Sequence, residues 1–156
     1  MLELHIKELK MTSGWRVGVV TSRFNEEVTT KLEEGALKRL QELGAAPEQI
    51  LRISVPGAVE IPLACQALLK KGCDGVIALG AVIRGETAHF DYVCRSVERG
   101  CSHVSLQFSK PVAFGVLTVE NDEQAAERVG GKHGHKGREA AEVVVEMIQL
   151  LHELQV

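Results

Sequence analysis

Apolar and polar positions alternate along this chain in two rhythms, and the rhythm changes at glycines and prolines. At the start, Leu2, Leu4 and Ile6 alternate with Glu3, His5 and Lys7, the period of two expected of a half-exposed strand. Thr12-Ser13-Gly14 breaks that pattern, so residues 1–12 read as an N-terminal strand or arm that pairs elsewhere, for instance on another subunit. Residues 15–21 (WRVGVVT) form the first central strand. A helix capped by Asn25 then runs to about Leu43, with Val28, Leu32, Ala36, Leu40 and Leu43 on one face and Gly44 as its stop.

The same alternation repeats. Residues 50–55 predict a second strand, and Pro56-Gly57 turns the chain into a helix over 59–70 with Pro62 in its first turn. The apolar run 75–79 predicts a buried third strand. A helix over 87–108 follows, carrying Phe90, Val93, Cys94, Val97, Cys101 and Val104 on one face. Residues 112–119 make a fourth strand, 123–128 a short helix, 130–137 (GGKHGHKG) a loop, and Arg138 opens a last helix to about Leu154. Strands alternating with helices imply right-handed crossovers and a parallel sheet covered on both faces. The fold class is α/β, doubly wound, and residues 1–156 form one domain.

In such a sheet ligands bind beyond the carboxyl ends of the strands. The segments leaving those ends are SRFN, VPGAVE, GAVIRGETAHF and TVEN. Phe24 in the first either stacks on a planar heterocycle or acts as a hydrophobic staple on the helix behind it. Glu60 in the second either accepts hydrogen bonds from polyol hydroxyls or complements a helix N-terminus. The third places Gly85, Glu86, the candidate N-cap Thr87 and His89 at a helix start, where backbone N–H groups attract anions and an imidazole tends to stay neutral. His89 is the candidate general acid/base, and Arg84 or Arg128 supplies positive charge for a phosphate. In GGKHGHKG, His133 and His135 lack the cysteines or paired carboxylates that would make them metal ligands, so the loop reads instead as a mobile basic cap over an anion.

Composition narrows the function classes. A formal net charge of −3 offers no footprint for nucleic acid or an anionic membrane. The four cysteines show no CxxC, and Cys94 and Cys101 lie roughly 10 Å apart along one predicted helix, beyond disulfide reach. Reduced thiols in a cytoplasmic protein are the expectation. Charges through Met1 to Lys10 argue against a signal peptide, and no apolar run approaches a membrane span.

With these residues placed, the whole chain resembles the lumazine synthase family of riboflavin biosynthesis. The resemblance rests on SRFN (22–25), VPGAVEIP (55–62), GAVIRGETAHFDYV (80–93), PVAFGVLT (111–118) and EQAAERVGGKHGHKGREAA (123–141). It implies a flavodoxin-like three-layer α/β/α sandwich around a four-stranded parallel sheet. It also implies assembly as homo-pentamers, in some members as decamers or sixty-subunit icosahedral shells. The implied reaction condenses 5-amino-6-(D-ribitylamino)uracil with 3,4-dihydroxy-2-butanone 4-phosphate to give 6,7-dimethyl-8-ribityllumazine, phosphate and water, with no metal and no cofactor.

By position, the resemblance puts Phe24 on the pyrimidine and Ala58, Val59 and Glu60 along the ribityl chain. Ala81, Val82 and Ile83 also contact the pyrimidine substrate. Glu86 and Thr87 hold the phosphate end through their backbone, supported by Gly85 and Lys136, and His89 moves protons. Phe114 and Arg128 reach in from the neighbouring subunit. Three departures stand out: Val59 where many members carry an aromatic, Asn121-Asp122-Glu123 before the short helix, and His135 where Asn is common. Competing readings are an archaeal-type riboflavin synthase and a non-catalytic lumazine- or flavin-binding or shell-forming protein. A flavodoxin-type phosphate loop after the first strand and the acidic cluster of a signalling receiver are both missing from the sequence.

Overall fold

The computed structural model describes all of residues 1–156. Its first strand, β1 (Val17–Ser22), is buried at every position, and β3 (Gly75–Ile83) at all but the last. These two pair in parallel at the centre of a sheet ordered β2-β1-β3-β4, with β2 (Ile50–Val55) and β4 (Val112–Val119) at the edges. Burial on both faces is what continuous runs of Val, Ile, Leu and Ala dictate in a parallel sheet. Edge strand β2 instead alternates, exposing Arg52 and Ser54.

Two apolar layers cover the sheet. On one side α1 (Glu26–Glu42) and α5 (Lys136–Leu154) bury Leu32, Ala36, Leu40, Val144 and Ile148 against Val17, Val19, Ile77 and Leu79. On the other, α2 (Ile61–Lys70) and α3 (His89–Phe108) bury Ile61, Cys65, Leu68, Val97 and Cys101 against Val20, Val76 and Ala78. The three-layer α/β/α sandwich expected from the alternation is therefore the observed fold. All four cysteines are free thiols. A hydrogen bond with Cys101, reinforced by burial, pushes the Cys65 thiol far above its ordinary range, so this pair packs as apolar filler.

Several boundaries differ from the sequence expectation, each for a local reason. Residues 2–6 form no strand; Leu2 and Leu4 stand exposed with no partner strand inside the chain. β1 opens at Val17 instead of Trp15, whose ring stacks on His152 at 4.8 Å. β3 continues four residues past Leu79, because Gly80 to Ile83 pair with Val116 to Val119 of β4. The helix expected from residue 59 begins as a 3₁₀ turn (Ala58–Glu60), and α2 starts at Ile61. α3 starts at His89. The short helix α4 (Asp122–Ala126) stops before Arg128, and α5 begins at Lys136. The glycine-rich loop is an antiparallel hairpin of β5 (Val129–Gly131) and β6 (Gly134–His135). Gly44 closes α1 as expected, with φ +97°.

Candidate active site

The segments leaving β1 and β2 are tied to each other by backbone and to β3 by one side chain. Arg23 N–H donates to the Val55 carbonyl (2.8 Å) and Phe24 N–H to the Pro56 carbonyl (3.1 Å). Asn25 was expected to cap α1 with its side chain. It occupies the cap position but holds a left-handed backbone (φ 62°, ψ 48°), and its amide turns the other way to donate to the Ala81 carbonyl at 2.8 Å. Left-handed geometry is costly for most residues and tolerated by Asn. One side chain thus fixes the start of α1 against the end of β3.

These ties frame a cleft of about 580 Å³ at the carboxyl ends of the three strands. Phe24, Ala58, Val59, Glu60, Ala81, Val82, Ile83, Gly85, Thr87 and His89 all line it. Phe24 is 71% exposed, so it is no staple on α1. The Glu60 carboxylate accepts the Gly57 N–H (3.0 Å), which orients it at the cleft wall. A side chain on Gly85 would meet nothing within 4 Å, so the glycine marks open space beside the backbone. Thr87 does not occupy the cap position; Ala88 does, and the Thr87 hydroxyl accepts the His89 N–H from one residue further back (3.3 Å). Glu86 lies between lining residues without lining the cleft itself.

Arg84 is already engaged elsewhere. It pairs with Glu120 at 2.7 Å and Asp91 at 3.5 Å and lies over the Phe90 ring at 4.3 Å. Its hydrogen bond to Glu120 holds the guanidinium even more firmly protonated. The cleft lining therefore contains no lysine or arginine, and its charged or titratable side chains are Glu60 and His89.

The remaining expected residues gather in a different place. Phe114, Arg128 and Lys136 line a second hollow of about 390 Å³ beside β4, bounded by the hairpin with its preceding Arg128 and by the start of α5. Here the cations are concentrated. Arg128 donates from Nη1 to the Gln124 carbonyl (2.9 Å) and stands 3.6 Å from the Glu127 carboxylate, which His133 also approaches at 3.6 Å. Sequence reasoning placed His133 in a basic loop capping an anion and did not single out Glu139; both line this hollow, as Phe90 and Val93, likewise not singled out as site residues, line the first cleft. Phe90 and Val93 carried the apolar periodicity of a core face, which concealed them; His133 lay in a segment read as a loop. No group of three or more His, Cys, Asp or Glu side chains is placed to hold a metal ion.

The chain that builds this geometry has relatives in sequence. The family model described as 6,7-dimethyl-8-ribityllumazine synthase matches residues 14–152. The chain belongs to that family. It is 58% identical over 139 residues to the 6,7-dimethyl-8-ribityllumazine synthase of Bdellovibrio bacteriovorus, covering 89% of this chain and 76% of the relative. The Coxiella burnetii enzyme of the same name is 48% identical over 92% of this chain and 96% of its own length. That of Cytophaga hutchinsonii is 51% identical over 90% and 89%. The chain is accordingly an enzyme, and a transferase, as its motifs led one to expect. No helix is long and apolar enough to cross a membrane.

Proposed function

We propose that the chain condenses 5-amino-6-(D-ribitylamino)uracil with 3,4-dihydroxy-2-butanone 4-phosphate, forming 6,7-dimethyl-8-ribityllumazine in the penultimate step of riboflavin biosynthesis. One observation carries the reading beyond family membership: Phe24, Glu60 and His89 share one cleft, while Arg128 and Lys136 share another. A heterocycle with a ribityl chain suits the first. Phe24 offers a ring face, Glu60 a carboxylate for hydroxyls, and the Ala81–Ile83 backbone an edge for hydrogen bonding. A phosphate suits Arg128 and Lys136 of the second, with Phe114 beside them.

The reaction needs both at once, so each cleft is completed by the hollow of the next subunit, in a homo-pentamer or a larger assembly. Support comes from the apolar surface one chain leaves bare: Phe24, Val59, Leu63, Tyr92 and Leu106 are all exposed. The arm adds to this. Leu2 and Leu4 have no partner in the chain, while edge strand β2 has unpaired backbone on one side. A particle mass equal to one chain would sink the shared site.

Chemistry within the joined site follows from the groups present. The substrate's amine adds to the ketone carbonyl and water leaves, giving an imine. Phosphate is then eliminated, and ring closure expels a second water. His89 accepts and returns the protons, while Gly85 and the Glu86–Thr87 backbone, with Arg128 and Lys136, neutralise the departing phosphate. Holding two reactants in register lowers the barrier by several kcal/mol, up to about 7–11 in well-aligned cases. No side-chain nucleophile is required because the amine belongs to the substrate. The free thiols favour a cytoplasmic setting, which fractionation would test by finding the protein in the soluble cell extract. The decisive assay mixes purified protein with both substrates. Lumazine absorbance and free phosphate should appear together; rates no higher than without protein would overturn the assignment.

A further inference from the structure

The hollow that holds Arg128, His133 and Lys136 is shaped by a residue that does not line it. His135 ends β6, where it pairs with Val129, and serves as the cap of α5. On either side of it, Lys136 N–H donates to the Arg128 carbonyl (2.8 Å) and His133 N–H to the Glu127 carbonyl (2.8 Å). Whatever fixes His135 therefore fixes the backbone that carries Arg128, His133 and Lys136.

Its imidazole is wedged between helices. A side chain on Gly35 of α1 would lie 2.1 Å from the ring's Cε1 and 2.5 Å from Nε2, so glycine there leaves the space the ring fills. At Gly137 a Cβ would lie 2.1 Å from the Leu32 carbonyl oxygen and 3.1 Å from the same Cε1. Two glycines, one per helix, let α1 and α5 close on the ring. Nδ1 accepts the Arg138 N–H at 3.3 Å, capping α5. An acceptor nitrogen carries no proton, so the cap requires neutral imidazole.

The surroundings enforce that form. Burial, followed by the charge of Arg138, holds the His135 pKa below the ordinary imidazole range. Opposing them are backbone hydrogen bonding at His135 itself and at Lys31, and the Glu139 carboxylate. The other neighbours, Leu32 and Gly35 of α1 and Gly130 of the hairpin, bring no charge. A proton on Nδ1 would break the cap and set a positive charge at the positive end of a helix.

We propose that His135 is the positioning residue of the phosphate-side hollow: its neutral imidazole clasps the hairpin to α1 and α5, and taking up a proton loosens the hairpin and its grip on the phosphate-bearing substrate. This rests on the function proposed above. The sign follows from linkage. With the folded value depressed, the unfolded chain binds the proton more readily. The clasp's contribution is complete above the ordinary imidazole pKa of about 6.5 and is lost as pH falls from there toward the lower folded value.

The test compares the wild type with His135→Asn, whose amide oxygen can accept the same N–H without titrating, at pH 8 and pH 5.5. Amide hydrogen exchange over residues 129–138, corrected for intrinsic rates, should quicken several-fold on acidification in the wild type and hold steady in H135N. The KM for the phosphate-bearing ketone should rise several-fold in the wild type relative to H135N at pH 5.5, with the KM for the pyrimidine unchanged. Comparison with H135N cancels the acid response of every other group, which both proteins share. Equal acid responses in the two proteins would overturn the clasp. So would His135→Ala with a lowered Tm but a wild-type KM; should that variant not fold, the exchange comparison decides. Absence of lumazine formation at every pH would instead defeat the proposed function, and the exchange experiment would still judge the clasp.

Discussion

The two proposed half-sites of this chain are built by different means. The cleft of Phe24, Glu60 and His89 stands on the ends of β1 and β3, strands buried on both faces and tied together by Asn25. The hollow of Arg128 and Lys136 stands on edge strand β4 and a short hairpin with exposed glycines at its tip. Charge divides in the same way, since the cleft has no cationic lysine or arginine and the hollow has one of each. Recognition of a rigid aromatic ring gains from a rigid wall. A phosphate is held by long side chains that tolerate small backbone shifts. Placing them at the sheet edge also leaves them free to serve a neighbouring molecule.

The comparison can be broken at each half. His89→Ala should produce the largest effect, a fall in kcat of about 10²–10⁴-fold with both substrates still bound; unchanged turnover would remove His89 from proton transfer. Arg128→Ala should raise the KM for the phosphate-bearing ketone by about 10- to 100-fold, matching a lost charge-assisted hydrogen bond. If the pyrimidine KM moved instead, the two halves would be wrongly divided. Mixing H89A with R128A sharpens the point. Co-assembled rings would regain about a quarter of wild-type activity, because random neighbours restore one intact cleft beside one intact hollow at that frequency. No recovery after subunit exchange would place both residues in one subunit's site. Phe24→Ala should weaken the pyrimidine substrate by roughly tenfold, from lost stacking and burial, measurable by titration. Asn25→Ala should have the smallest effect on turnover and lower stability by about 1–3 kcal/mol, combining a lost hydrogen bond with left-handed strain; a denaturant midpoint equal to wild type would show the Ala81 tie to be idle.

Legibility in the sequence followed the punctuation. β2 and β4 match their expected ranges to the residue because Pro56 and Pro111 mark their limits. At β3 the expected strand ended at Leu79, four residues short of the observed end and just before Gly80. In the fold it lies in mid-strand, where a Cβ would come within 2.9 Å of Ser22 Oγ and 3.0 Å of Ile61 Cδ1. That glycine answers to packing from other elements, which no local window reports. The hairpin was missed for the related reason that glycines suit a two-stranded turn and a loop equally. The N-terminal arm is a different case. Its alternation is sound, but a strand requires a neighbour, and this chain holds none for it.

The site shows the same division. GAVIRGETAHF announced itself by residue types, Phe24 and Glu60 followed from their positions after strands, and the Ala81–Ile83 run came only with the family resemblance. Hydrophobic periodicity and turn chemistry are local properties, so the chain alone indicated the α/β class, the two covered faces and the end of the sheet where the candidate site lies. Tertiary structure decided the direction of particular side chains: Arg84 toward Glu120, Asn25 toward Ala81 and the His135 ring into the gap left by Gly35. It also separated Phe114, Arg128 and Lys136 from the first cleft. Those outcomes depend on which distant residues become neighbours, and such contacts exist only once the sheet has closed its layers around them.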